Sequence, residues 1–172
     1  MQVSNQAPSR WVVMGVSGCG KSEVGRRMAE TLHVDFVEGD AYHSTANVAK
    51  MAAGIALTDA DRADWLHTLQ ERIAAAREAG VGLVLACSAL KRRYRDILRE
   101  GDPALLFVHL DGERAVIAQR MQARTAHFMP TSLLDSQLRD LEPLQADEQG
   151  IRLDISHTPA QLAQAALDTM GR

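Results

Sequence analysis

The strongest chemical signal in this 172-residue chain lies near its amino terminus. Gly15-Val16-Ser17-Gly18-Cys19-Gly20-Lys21-Ser22 fits the spacing G-x-x-x-x-G-K-S. Glycines let such a turn curl until successive backbone N–H groups point inward and make a nest for anionic oxygens. A helix starting near Lys21 aims its positive end at the same point. Lys21 then reaches the outer phosphates, and the Ser22 hydroxyl is placed to hold Mg²⁺. A chance glycine-rich cap has no need of Gly, Lys and Ser at these offsets between an apolar run and a helix. Residues 15–22 therefore read as a cradle for a nucleoside triphosphate.

A carboxylate follows. Val37-Glu38-Gly39-Asp40 closes the second apolar run. Phosphoryl transfer to an alcohol needs a carboxylate that orients the acceptor hydroxyl and takes its proton. Asp40 is the candidate, although Gly-Asp is also ordinary turn chemistry. Glu38, two residues earlier on the same strand face, is a candidate to hold Mg²⁺ through water. His43 lies just beyond, either against substrate or as a plain loop histidine.

Cations appear where helices disfavour them. A positive side chain in a first turn faces the positive end of the helix dipole, at a cost of a few tenths to about 1 kcal/mol. Arg62 follows Thr58-Asp59-Ala60-Asp61, a capping-type start with Thr58 as N-cap. Lys91 follows Ser88-Ala89-Leu90, with Ser88 read as the N-cap after the third apolar run. With Lys21 these make a site suited to anions. The competing reading pairs Arg62 with Asp59, Asp61 or Asp64 and leaves Lys91-Arg92-Arg93 as a solvated face. Arg120 and Arg124 are four residues apart and share a helix face at the entry to an irregular segment. Arginine forks suit a transferring phosphoryl group, so both are candidates on a lid, Arg124 as a catalytic residue and Arg120 on the nucleotide. His127 in the same segment is a candidate substrate contact, or part of a hydrophobic latch with Phe128.

These residues need a scaffold. Apolar runs at Trp11–Val16, Val34–Glu38, Gly82–Cys87, Leu105–Leu110 and Ile151–Ile155 read as strands buried on both faces. Helical spacing occupies Lys21–Leu32, Asp59–Ala79, Ala89–Glu100, Glu113–Arg124 and Ala160–Met170. The alternation predicts an α/β three-layer sandwich, a five-stranded parallel sheet with helices on both faces and right-handed crossovers. The candidate residues then meet at the carboxyl ends of the strands, where open sheets bind ligands. Residues 124–150 break the pattern, with Pro130, Pro143, a helix-like piece at Leu133–Leu141 and no strand. They read as a helical lid insertion in one domain spanning 1–172. Leu66, Leu69 and Ile73 form a buried helix face, and Trp11 and Trp65 read as packing.

Composition narrows the function classes. At 46% hydrophobic and 24% charged the chain is an ordinary soluble globular protein. The net charge of −3, without a basic stripe, speaks against a nucleic-acid or membrane-surface binder. Cys19 and Cys87 form neither a disulfide framework nor a CxxC metal spacing, so reduced thiols in the cytoplasm are expected. No apolar run approaches the roughly 18 residues of a membrane span, and Met1–Arg10 lacks the order of a secretory signal.

Taken in order, the blocks resemble the bacterial-type gluconokinases, small P-loop NTPase-fold kinases related to shikimate and nucleoside monophosphate kinases. The resemblance runs from about Trp11 to the C-terminus. It rests on MGVSGCGKS at Met14–Ser22, EGDAYH at Glu38–His43, and Asn47-Val48-Ala49-Lys50-Met51 with Gly54 after it. LTDADRADWL at Leu57–Leu66, CSALKRRYRDILRE at Cys87–Glu100, and Arg120–Phe128 followed by Leu133-Leu134-Asp135-Ser136-Gln137 continue it. The first block is shared by many unrelated NTPases. The CSALK and D-x-D-R-x-x-W-L blocks are far more specific.

The resemblance implies ATP- and Mg²⁺-dependent phosphorylation of D-gluconate at its terminal hydroxyl, giving 6-phosphogluconate and ADP, in a cytoplasmic homodimer. It implies Asp40 at the acceptor hydroxyl, Arg62 and Lys91 on the acid and polyol, and Arg95 in the substrate pocket. Arg120 and Arg124 would serve lid and phosphates, with the loop near Ser156–Pro159 beside the adenine. Glu38 stands where some relatives carry Asp. A signalling GTPase would need an N/T-K-x-D motif, which is missing. The remaining rivals are another P-loop small-molecule kinase, shikimate-like or for a different sugar acid, and a non-enzymatic nucleotide-binding switch.

Overall fold

The structure, a computed structural model, describes residues 7–123 and 130–170. Its strands are β1 (Arg10–Met14), β2 (Asp35–Glu38), β3 (Leu83–Ala86), β4 (Leu106–Asp111) and β5 (Gly150–Asp154), all parallel. They lie side by side in the order β2-β3-β1-β4-β5. β1 is central, with Val12 opposite Leu85 of β3 and Phe107 of β4. Its side chains alternate between two cores, Trp11 and Val13 into one and Val12 and Met14 into the other.

Helices α1 (Lys21–Leu32), α5 (Arg114–Ala123) and α7 (Pro159–Met170) cover the first core with Met28, Ile117 and Leu162. On the second lie α3 (Asp59–Glu78) and α4 (Arg92–Gly101), the former through Leu66, Leu69 and Ile73. This is the expected three-layer sandwich. No helix among the described residues is long and apolar enough to cross a membrane.

Two local features depart from the sequence pattern. A 3₁₀ turn at Gly39–Tyr42 and α2 (Thr45–Ala52) occupy a stretch that periodicity left unassigned. Ser44 caps α2 by accepting a hydrogen bond from Asn47 N at 3.1 Å. The helix expected from Ala89 begins later, because Ala89 adopts φ +45°, a left-handed conformation no α-helix can include. Lys91, not Ser88, sits at the N-cap of α4.

The insertion is helical, as α6 (Thr131–Asp140), and seats Leu133 and Leu134 in the interior. The stretch after α6 is also anchored: Glu142 N donates to Leu90 O at 2.7 Å, and Glu148 is buried.

β4 carries a polar core residue. His109 is 2% exposed, and neither ring nitrogen has a hydrogen-bond partner among the described residues. Burial holds its pKa below the ordinary 6.5, only partly countered by the Asp111 carboxylate. The folded protein thus keeps the imidazole neutral while the unfolded chain takes up the proton, so stability is intact above pH 6.5 and falls below it. His109→Leu is expected to flatten the decline of Tm between pH 6.5 and about pH 5, read by thermal melts across that range. An unchanged slope would assign the acid sensitivity to other groups.

Candidate active site

The cradle forms where β1 hands over to α1. Gly15, Gly18 and Gly20 take φ of +145°, +84° and +94°, which side chains disfavour. Val16 and Cys19 turn their side chains into the core, so only their backbone can face a ligand. Gly20, at the N-cap of α1, has no side chain to satisfy the first-turn N–H groups, which leaves them for an anion. Lys21 Nζ donates to Val16 O at 3.1 Å, folding the ammonium over the loop.

The Ser22 hydroxyl donates to the Glu38 carboxylate at the end of β2. A hydroxyl and a carboxylate in direct contact beside the cradle fit Mg²⁺, which takes one or two protein oxygens and fills its shell with water and phosphate. Among the described residues no cluster of three or more His, Cys, Asp or Glu could hold a metal unaided.

Asp40 lies on the 3₁₀ turn that leaves β2. That turn is pinned by Trp65 of α3, whose indole N–H donates to Gly39 O at 2.8 Å. His43 stacks on the same indole with ring centroids 4.1 Å apart. Burial lowers the His43 pKa; Asp40 raises it and Arg62 lowers it further, which makes the three neighbours. Its Nδ1 is buried and has no hydrogen-bond partner among the described residues.

The cations expected to bind an acidic acceptor are charge-balanced. Arg62, 8% exposed, donates through Nη1 to Tyr94 Oη at 2.7 Å and lies 3.5 Å from Asp140 of α6. Tyr94 in turn donates to the Asp59 carboxylate. Lys91 Nζ is 3.3 Å from Asp59, and Arg93 also pairs with it. The start of α3 is fixed by a capping box: Asp61 N donates to Thr58 Oγ1 at 3.1 Å, and Thr58 N to Asp61 Oδ2 at 2.9 Å. Those contacts, the Thr58 backbone first and Lys50 next, bring the Asp61 pKa down to about 2.

The Cys87 thiol, just after β3, locates the meeting point. Burial pushes it up to about 12, with the Ala89 backbone opposing, and the fields of Asp40, Lys21 and Arg62 all reach it. At this strand end Gly15 N of the cradle donates to Ser88 O at 3.2 Å, and Gly39, beside Asp40, lies against the Ala86 carbonyl. On the acceptor side, Lys91, Arg93, Arg139 and Asp140 line a cleft of about 550 Å³. On the other flank, a cavity of about 230 Å³ opens between Gly18, Gly20, His157 and Pro159, with Arg120 on its wall. Arg120 Nη2 donates to Ile155 O at 2.9 Å, at the loop expected beside the adenine.

Not every candidate joins the site. Arg95 does not line a substrate pocket: its side chain is fully buried and bonded to Glu148 and to backbone carbonyls. Arg124 and His127 lie outside the described residues. Three contributors escaped sequence reasoning. Gln137 of α6 accepts from Ser17 N at 2.7 Å and donates to Ser17 Oγ at 3.1 Å, so the insertion touches the cradle. Asp59 and Tyr94 connect Lys91 to Arg62. Asp59 was legible as a helix-start residue and as one possible partner of Arg62, and Tyr94 and Gln137 only as members of longer blocks with no role of their own.

A family model described as an AAA domain matches residues 11–144. The chain is 51% identical to a gluconokinase of Gluconobacter oxydans (strain 621H), over 88% of this chain and 85% of that protein. It is 43% identical to the thermosensitive gluconokinase of Escherichia coli (strain K12), over 92% of this chain and 85% of that one. The chain belongs to the gluconokinase family. A crystal structure of a gluconokinase from Sinorhizobium meliloti 1021 superposes with a TM-score of 0.88 at 46% identity, covering 98% of this chain and 94% of that one.

Within this gluconokinase fold, Gly39 sets the approach of Asp40 to the cradle. A Cβ there would run into the backbone carbonyl of Ala86, so alanine must push the turn away from β3. Gly39→Ala is expected to cut turnover roughly ten- to a hundredfold while nucleotide affinity stays within about twofold. Steady-state kinetics beside titration with a non-hydrolysable ATP analogue checks this.

Proposed function

We propose that this chain transfers the γ-phosphoryl group of ATP to the terminal hydroxyl of D-gluconate, giving 6-phosphogluconate and ADP. The observation that supports the reading is a glycine-rich cradle hydrogen-bonded to the loop after β3, which leads to Lys91, while Trp65 of the helix bearing Arg62 holds the turn that bears Asp40. Membership of the gluconokinase family supports the substrate. It also weighs against a shikimate-type kinase and against a non-enzymatic switch.

The backbone N–H groups of residues 15–22 and the Lys21 ammonium grip the outer phosphates. Mg²⁺, when bound at the Ser22 hydroxyl and near Glu38, supplies charge neutralisation on those phosphates. Arg62 and Lys91 hold the gluconate carboxylate and nearby hydroxyls, and neutral His43 offers a hydrogen-bonding nitrogen to the polyol. Asp40 orients the terminal hydroxyl and takes its proton. The hydroxyl oxygen forms the new bond to the γ-phosphorus as the bond to the bridging oxygen breaks, and ADP leaves with that electron pair. Arg124 stabilises the spreading charge from the lid side, and Arg120 contacts the nucleotide. The chain acts as one kinase domain over 1–172, in the cytoplasm and as a homodimer.

Lys21→Ala is expected to lose nearly all transfer. Asp40→Asn should lower kcat by roughly 10²- to 10⁴-fold and leave ATP binding nearly unchanged. Equal turnover in wild type and Asp40→Asn would remove Asp40 from the mechanism. ADP release with ATP and Mg²⁺, measured across a panel of aldonic acids, tests the function itself. Release that no hydroxy acid stimulates would favour the switch, and preference for another acid would move the substrate.

A further inference from the structure

We propose that Arg95 and Glu148 are a buried positioning pair that fixes the loop between β3 and α4, and through it Lys91. Both side chains are 0% exposed. Arg95 Nε and Nη2 hold the two Glu148 oxygens at 2.7 and 3.1 Å. Its Nη1 donates to the carbonyls of Ala89 and Leu90 at 2.9 and 3.2 Å, and Nη2 also to Pro143 O at 3.3 Å. Every nitrogen of the guanidinium is therefore engaged within the protein, with Nη1 given wholly to the two carbonyls of the loop.

The loop so held cannot hold itself. Ala89 sits at φ +45°, which costs a non-glycine residue energy that its surroundings must offset. On one flank Gly15 N of the cradle donates to Ser88 O at 3.2 Å; on the other Glu142 N donates to Leu90 O at 2.7 Å. The loop is thus the wall between the phosphate cradle and the acceptor cations, and it ends at Lys91. Glu148 also accepts from Arg99 Nη1 at 2.9 Å and Gln145 N at 2.8 Å, so an apolar pair of similar volume would fill the space but remove those two contacts as well. What the ion pair adds is a rigid fork that receives two successive carbonyls of a strained turn.

This rests on the proposed function only for the choice of acceptor. The test is the double variant Arg95→Met with Glu148→Leu, beside Glu148→Gln, which keeps size and one acceptor oxygen should the double variant not fold. The Glu142 amide is expected to exchange with solvent at least about tenfold faster, with strand amides unchanged. KM for gluconate should rise roughly ten- to a hundredfold while KM for ATP stays within about twofold. A folded variant with wild-type gluconate KM, or an equal rise in both KM values, or unchanged Glu142 exchange, would overturn the assignment. If wild-type protein fails to phosphorylate gluconate, the proposed function falls and the exchange measurement alone decides on the pair.

Discussion

Like charges crowded at one end of a sheet repel, and most of the architecture around this site answers that repulsion. Lys21, Arg62, Lys91 and Arg93 gather where the parallel strands end, and a largely buried arginine without a partner would be strongly unfavourable. The remedy is a set of shared acids. Asp59 serves Lys91, Arg93 and Tyr94 at once, while Asp140 reaches Arg62 from a different helix. Both acids retain substantial solvent exposure, 45% for the Asp59 side chain and 29% for Asp140. The cations are held in place without being permanently claimed, so an incoming anion can take over some of these contacts.

Strand order makes the gathering possible. Because β1 is central and β3 lies between it and β2, the loops after β1, β2 and β3 emerge side by side. One supplies phosphate-binding amides, the next the carboxylate and the third a cation. After α2 the chain comes back to the same edge with the first turn of α3, bringing Arg62. Trp65, one turn further along α3, joins packing to positioning: the indole fills the second core and its N–H fixes the turn that bears Asp40.

Much of this was readable from residue order. The five apolar runs became the five strands, and the Thr58 cap of α3 formed as its spacing implied. The eight-residue cradle was legible because backbone chemistry imposes fixed offsets on glycine, lysine and serine. Arg95 misled because it sits in the most specific block, beside Tyr94, while its partner Glu148 lies 53 residues away. Local sequence cannot reveal that a guanidinium is neutralised by a distant acid. Ala89 misled for a related reason: a left-handed alanine is stable only because tertiary contacts enforce it, so propensity placed a helix there. Gln137 was invisible since an amide on a polar helix face looks like any solvated residue until the helix is docked.

The sulfur at the end of β3 has its own chemical meaning. With its pKa pushed up to about 12 by burial and no exposed surface, the Cys87 thiol stays protonated at neutral pH. Oxidants and alkylating reagents act on thiolates they can touch, and here they meet neither condition. A nucleophilic atom thus lies next to the loop that the glycine-rich cradle bonds while being withheld from reaction. Electrophile resistance at this position is therefore a by-product of how tightly the strand end is packed.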